Sequence, residues 1–320
     1  MTRGTLLLGT VALGAALTAA AQGYPARAIR VIIPYPPGGG SDMLMRPIAQ
    51  RVSELMGQQL IMDNRPGGGS VVGTQIAAKS APDGYTTLIV DLAYYANPAL
   101  LTKLPYDSVR DLAPVVNLAS SAAILVVHPS VPARTLKEFI ALAKKRPGEI
   151  NYSSGGNGTG SHLGGELLKL AAGINLVHVP YKGVAPAITD TLSGQVTVTF
   201  AGVNAVRGFL ESGRLRALGI TGATRKAAVP QVPTFAEVGL PGLDATTHRG
   251  LLVPTGSPGE AIARLNMEFN KALAHPPLRT RLEELGYDAS GGPPDDYAKI
   301  VRAEISKWDG VIRKAGIRVE

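Results

Sequence analysis

Residues Pro36 to Asp42, reading PPGGGSD, follow the apolar run IRVIIPY and lead into a helical pattern that opens at Asp42. A strand passing through a glycine turn into a helix leaves several backbone N–H groups without partners and directed at one spot. The helix dipole adds partial positive charge there, so the spot attracts a small anion. The arrangement recurs mid-chain, where INYSS (Ile150 to Ser154) runs into GGNGTG (Gly155 to Gly160) and a helix from Ser161. Two anion-ready loops in one chain predict a carboxylate gripped from two sides.

Such a grip needs no reactive side chain. In the first loop the candidate contacts are Tyr35, Pro37, Gly38, Gly39, Ser41 and Asp42. The glycines let backbone approach a ligand closely, Ser41 offers a hydroxyl, and Asp42 stabilises the first helical turn and braces the loop. In the second loop they are Ser153, Ser154, Gly155, Gly158, Thr159, Ser161 and His162. His162 opens a helix behind the glycines and either braces the loop or touches the ligand. Read singly, each loop is equally an ordinary strand-to-helix turn; the pair favours binding. Hydrogen bonds to a charged group contribute about 1.5–3 kcal/mol each. Four or five of them, less ordering and desolvation costs, reach micromolar affinity, about 8 kcal/mol.

Two further segments bear on the same spot. NRPGGGS (Asn64 to Ser70) precedes another helical run; bracing of the first lobe is the preferred reading and ligand contact the alternative. DLAYY (Asp91 to Tyr95) follows a strand, and Asp91 is read first as a helix N-cap and second as a partner for a ligand ammonium.

Catalytic motifs are missing. No serine sits in G-x-S-x-G, no G-x-x-x-x-G-K-[ST] occurs, and the dinucleotide pattern started at Gly156 fails at Ser161. The five histidines (His128, His162, His178, His248, His275) show no metal-ligand spacing, and the chain has no cysteine. Thiolate metal sites, disulfides and cysteine nucleophiles are thereby excluded. The chain is read as a non-enzyme with no cofactor and no metal.

The elements that must position the loops alternate along the chain. Strands are predicted over 29–33, 60–63, 86–90, 115–118, 123–128, 150–153, 176–179, 196–200, 215–221 and 250–253. Helices are predicted over 42–56, 73–79, 135–145, 162–172, 185–193, 203–211, 258–274, 277–286 and 295–315. This alternation predicts an α/β fold with mostly parallel sheets. If each glycine loop tops its own sheet, the chain makes two lobes with the ligand between them, beyond the carboxyl ends of the strands.

Arg3, the apolar stretch from Leu6 to Leu17 and the small residues Ala19 to Ala21 read as a cleavable export signal over residues 1–21, which places the mature product in the periplasm. The formal charge of +8 is scattered, with few aromatics, so nucleic acid is not the expected partner. A mild positive field that draws in small anions is the better use of that charge.

The ordered stretches YPARAIRVIIPYPPGGGSD, GQQLIMDNRPGGGSVVG, APDGYT, LPYDSVRDLAPV, NYSSGGNGTGSHLGGE, HVPYKG, SGRLRALGIT and VPTFAEVGLPG carry a family likeness. From Tyr24 to Ile317 the chain resembles the periplasmic solute receptors of tripartite tricarboxylate transporters, the Bug receptors. The resemblance implies a two-lobed type II periplasmic-binding fold, with residues 24–122 and 230–320 in one lobe and 123–229 in the other. It also implies a receptor that delivers a small carboxylate to the permease subunits of its transporter; a monomer is the natural form for a protein that docks on a permease. One ligand carboxylate would be held by main-chain groups and waters of two loops, which match Pro37–Asp42 and Ser153–His162. One departure stands out: the family's usual tryptophan before the G-L-x-A-P strand is His248 here, followed by Arg249. If the His248 side chain reaches the cleft, ligand choice shifts toward something more polar or anionic. A receptor signalling to a membrane sensor kinase would need the same closing cleft, and stays open as the alternative.

Overall fold

Apolar runs rich in Val and Ile form the strands, and segments with helical periodicity cover them. The computed structural model describes residues 23–317; the export signal lies outside them. In chain order the elements are β1 (Ile29–Ile33), α1 (Gly40–Met56), β2 (Leu60–Asn64), α2 (Val71–Ala78), β3 (Thr86–Val90), α3 (Leu92–Leu100), β4 (Leu112–Ser121) and β5 (Ala123–Val127). They continue with α4 (Leu136–Lys145), β6 (Asn151–Ser154), α5 (Gly160–Ala172), β7 (Val177–Pro180), α6 (Val184–Ser193), β8 (Val198–Gly202), α7 (Val203–Glu211) and β9 (Arg216–Ile220). The last are β10 (Thr247–Pro254), α8 (Gly259–Leu273), α9 (Pro276–Glu284), β11 (Asp288–Ala289) and α10 (Pro294–Ala315).

The strands make two sheets, one ordered β11-β4-β10-β3-β1-β2 and the other β7-β6-β8-β5-β9. The α/β class and the pair of helix-flanked sheets agree with the sequence reading. The pairing corrects it: the sheets are mixed, not mostly parallel. β1 pairs in parallel with β2 and β3, and β6 with β7 and β8. β10 and β5 run antiparallel to both of their neighbours. Both are strands that the chain enters from the other sheet, β5 straight out of β4 and β10 on the return from β9. No local helix carries the chain into them, so the right-handed crossover that forces parallel pairing does not operate.

Alternation along β1 splits its side chains between two cores. Ile29, Val31 and Ile33 pack with Leu44, Ile48 and Val52 of α1 and with Leu265 and Phe269 of α8. Ile32 faces the opposite way, into a cluster that runs through Tyr94 and Tyr95 of α3 and Trp308 and Ile312 of α10. The same cluster reaches Leu125, Tyr152, Leu163 and Phe200 of the second sheet and its helices. Helix α10 accordingly packs against α3 and β4 on one side and α5 on the other. Trp308 is fully buried, its indole N–H donating to Glu304 Oε2 at 2.9 Å.

Helix α3 is missing from the predicted helices, although Asp91 reads as a helix N-cap. Its aromatic pair and Pro98 suit a loop or strand end locally; burial of Tyr94 and Tyr95 and the Asp91 cap make it a helix.

Candidate functional site

The two glycine loops are one structure built twice. Gly38 and Gly158 take left-handed φ of 80° and 76°, which a side chain would resist. The next residues, Gly39 and Thr159, are extended N-caps with φ of −69° and −72°, and α1 and α5 start at Gly40 and Gly160. Four residues beyond each left-handed glycine, a side chain turns back: Gly38 N–H donates to Asp42 Oδ2 at 2.9 Å, and Gly158 N–H donates to His162 Nδ1 at 3.0 Å.

Asp42 is buried and also accepts from Arg46 Nε at 2.7 Å and Asn64 Nδ2 at 3.1 Å. Burial alone would raise its pKa, but the bonds from Arg46, Gly38 and Asn64 prevail and hold the carboxyl below its ordinary range. His162 stacks on His178 with ring centroids 4.0 Å apart. Burial first, then the His178 ring, push His162 down to about 4, so the imidazole is neutral and its Nδ1 free to accept.

A cleft of about 620 Å³ opens between the sheets. Tyr35, Gly158, Thr159 and Ser161 line it. Ser161 Oγ accepts Gly155 N–H at 3.0 Å, which places the hydroxyl at the floor of the second loop. Ser41 flanks the cleft, donating to Asp91 Oδ2 at 3.3 Å. Pro37, Gly38, Gly39, Asp42, Gly155 and His162 are not among the residues that line it: Pro37 and Gly38 are exposed, Asp42 and His162 buried. Ser153 and Ser154 are fully buried, bonded to Thr191 Oγ1 at 3.0 Å and His178 Nε2 at 2.6 Å.

Helix N-termini other than that of α5 also meet at the cleft. Gly68 and Gly69 ahead of α2, Leu92 and Ala93 of α3, Val184 of α6, and Gly202 and Asn204 around the start of α7 all line it. The third glycine segment braces the first lobe and lines the cleft: Gly69 O and Ser70 Oγ accept from Asn97 Nδ2, at 2.9 and 3.3 Å, while Gly68 and Gly69 face the space. Helix starts contributed by both sheets suit an anion between them.

Two charged side chains line the space, Asp91 and Arg249. Asp91 caps α3, accepting Ala93 N–H at 3.2 Å, and its oxygens also receive Tyr35 OH and Ser41 OH. Burial and the adjacent Asp91 carboxylate keep the Tyr35 proton in place, raising its pKa well above that of a free tyrosine. These bonds leave Asp91 poorly placed to take a ligand ammonium.

Arg249 has no such saturation. Its Nη1 donates to Ser121 Oγ at 2.8 Å, and its guanidinium lies 5.2 Å from the centre of the Tyr287 ring. Its Nε is buried without a partner. His248, next to it on β10, faces away toward Glu304, Lys307 and Asp244, and burial lowers its pKa. Strand alternation thus resolves which of the two departs into the cleft: Arg249, not His248. No group of three or more His, Cys, Asp or Glu among the described residues could hold a metal ion, and no described helix is long and apolar enough to cross a membrane.

A family model described as "Tripartite tricarboxylate transporter family receptor" matches residues 44–317. The protein BugT of Bordetella pertussis is 35% identical over 309 residues, covering 96% of this chain and 95% of that one. A Rhodopseudomonas palustris protein solved with adipate is 34% identical with a TM-score of 0.81, covering 92% of this chain and 100% of that chain. MatC from the same species, solved with bound malate, is 30% identical with a TM-score of 0.77, covering 90% and 100%.

Proposed function

The chain belongs to the tripartite tricarboxylate transporter receptor family, and from that premise we propose that it binds a small organic carboxylate between its two lobes and delivers it to membrane permease subunits. The two-lobed type II periplasmic-binding fold, with lobes of residues 24–122 plus 230–320 and 123–229, supplies the cleft. The observation that carries the reading is the convergence of helix N-termini from both sheets on one space of about 620 Å³. A carboxylate there accepts main-chain N–H bonds from opposite walls, and that stabilises the arrangement in which the walls are close. Closure of the lobes is then the signal a permease reads. Adipate and malate in the related structures support an acidic ligand.

Titration of the mature protein, residues 22–320, with a broad carboxylate panel by calorimetry tests this. At least one member should saturate the protein at micromolar concentration with one site per chain. Deleting the gene should abolish uptake of that carboxylate by whole cells. No saturable binding to any carboxylate overturns the reading, and binding with unimpaired uptake in the deletion strain removes delivery.

A further inference from the structure

We propose that Arg249 sets the charge of the ligand: its guanidinium holds a second anionic group, so the protein selects dicarboxylates over monocarboxylates of the same carbon skeleton. The inference rests on the reading of the cleft as a carboxylate site and adds to it which residue fixes the ligand's far end.

Arg249 sits beside a local irregularity of the sheet. Along β10 it lies opposite Ala119 of β4, whereas the next residue, Gly250, lies opposite Asn117, so β4 carries an extra residue at this point. A bulge bends the strand and redirects the side chains beside it. Here the extra residue is Leu118, and β4 stays paired with β10 as far as Ser121. Ser121, two residues along β4 from Ala119, accepts from Nη1, and the Tyr287 ring supports the guanidinium plane. Tyr287 in turn donates to Gly40 O at 3.0 Å, tying this support to the first loop.

What the cation lacks is a counter-charge. Among the described residues Asp91 is the one carboxylate that lines the cleft, and it is engaged with Tyr35, Ser41 and the start of α3. No carboxylate among the described residues forms an ion pair with Arg249, and its Nε is buried with nothing to donate to. A partly desolvated guanidinium with spare donors favours an incoming anion. Leu92, Leu100, Ala122, Phe200 and Ala245 line the space as well, and they suit a carbon skeleton between two charged ends.

The test compares straight-chain and benzene dicarboxylates with monocarboxylates of the same skeleton, on wild-type protein and on Arg249→Gln and Arg249→Lys. Wild type should bind its best dicarboxylate at least tenfold more tightly than the matched monocarboxylate. Arg249→Gln should lose roughly 10- to 100-fold toward the dicarboxylate and under about threefold toward the monocarboxylate, with Arg249→Lys between. Esterifying one end of the preferred dicarboxylate should cost wild type a similar factor, a measurement independent of whether the variants fold. Equal losses toward both ligand classes, or no preference and no ester effect in wild type, overturn the role of Arg249 while leaving carboxylate binding intact. Wild type that binds neither class overturns the underlying reading and this inference with it.

Discussion

The carboxylate of Asp42 and the imidazole of His162 occupy equivalent positions in two copies of one loop. Each accepts the N–H of the left-handed glycine four residues before it, at 2.9 Å from Gly38 and 3.0 Å from Gly158. A carboxylate in the first turn also favours the dipole of α1, whereas a neutral imidazole leaves the start of α5 without that opposing charge. The second loop is thereby the more attractive one for an external anion.

Removing either brace should loosen its loop. Asp42→Ala and His162→Ala are each expected to destabilise the fold by about 1–3 kcal/mol, the worth of the hydrogen bonds removed. Carboxylate affinity should fall more in His162→Ala, because Gly158, Thr159 and Ser161 line the cleft directly. Urea denaturation and calorimetry measure the two effects; unchanged affinity in His162→Ala would count against the second loop as a contact.

Acid should undo the braces in separate windows. The folded chain holds His162 down to about 4, whereas the unfolded chain takes up that proton near pH 6.5. Stability therefore falls as the pH drops from about 6.5 toward 4, by roughly 3 kcal/mol for this group. His178, also lowered by burial, adds to the same limb. The stabilisation from Asp42 is present above the unfolded carboxyl value of about 3.9 and is lost as the pH falls through its lower folded value. His162→Asn keeps an acceptor and should flatten the upper limb only. Denaturation midpoints at pH 7.5 and 4.5 that differ as much in His162→Asn as in wild type would refute the assignment.

Gly250→Ala tests the packing behind Arg249. A Cβ at that position would collide with the ring of Tyr297 on α10, a fully buried side chain that also hydrogen-bonds Tyr95 at 2.8 Å. A loss of about 1–3 kcal/mol in stability is expected. A thermal midpoint equal to that of wild type would show that α10 yields at this contact.

Ser161→Ala separates binding from chemistry. Ser161 Oγ only accepts Gly155 N–H and shares a bond with Thr159, so its removal should weaken carboxylate binding several-fold. Mass spectrometry after long incubation should return chemically unchanged ligand from wild type and variant alike; any product formed by wild type and not by Ser161→Ala would make the protein an enzyme.

The glycine loops were legible because their cause is local. A strand, a glycine that tolerates positive φ, and a helix start lie within a few consecutive residues, and the eye meets the same order twice. Asp91 as a cap was legible for the same reason. Arg249 was visible as a departure but not as a cleft residue: alternation puts it and His248 on opposite faces of β10, but which face meets the cleft depends on pairing with β3 and β4, more than a hundred positions away. Phe200, Asn204 and Tyr287 carried no signal at all; only the pairing of distant strands brings them to one space. The mixed pairing of the sheets was hidden likewise, because strand direction at β5 and β10 follows from the path between lobes and not from the composition of either strand.

Helix α10 has a mechanical meaning. It shares apolar side chains with both halves of the molecule, so the halves are not beads on two threads but plates pressed to a common axle. Rotation about such an axle preserves most of the contacts at Trp308 and Ile312, whereas pulling the plates apart would expose them. If the lobes close on a ligand as proposed, a turn about α10 is the movement that keeps this shared core covered.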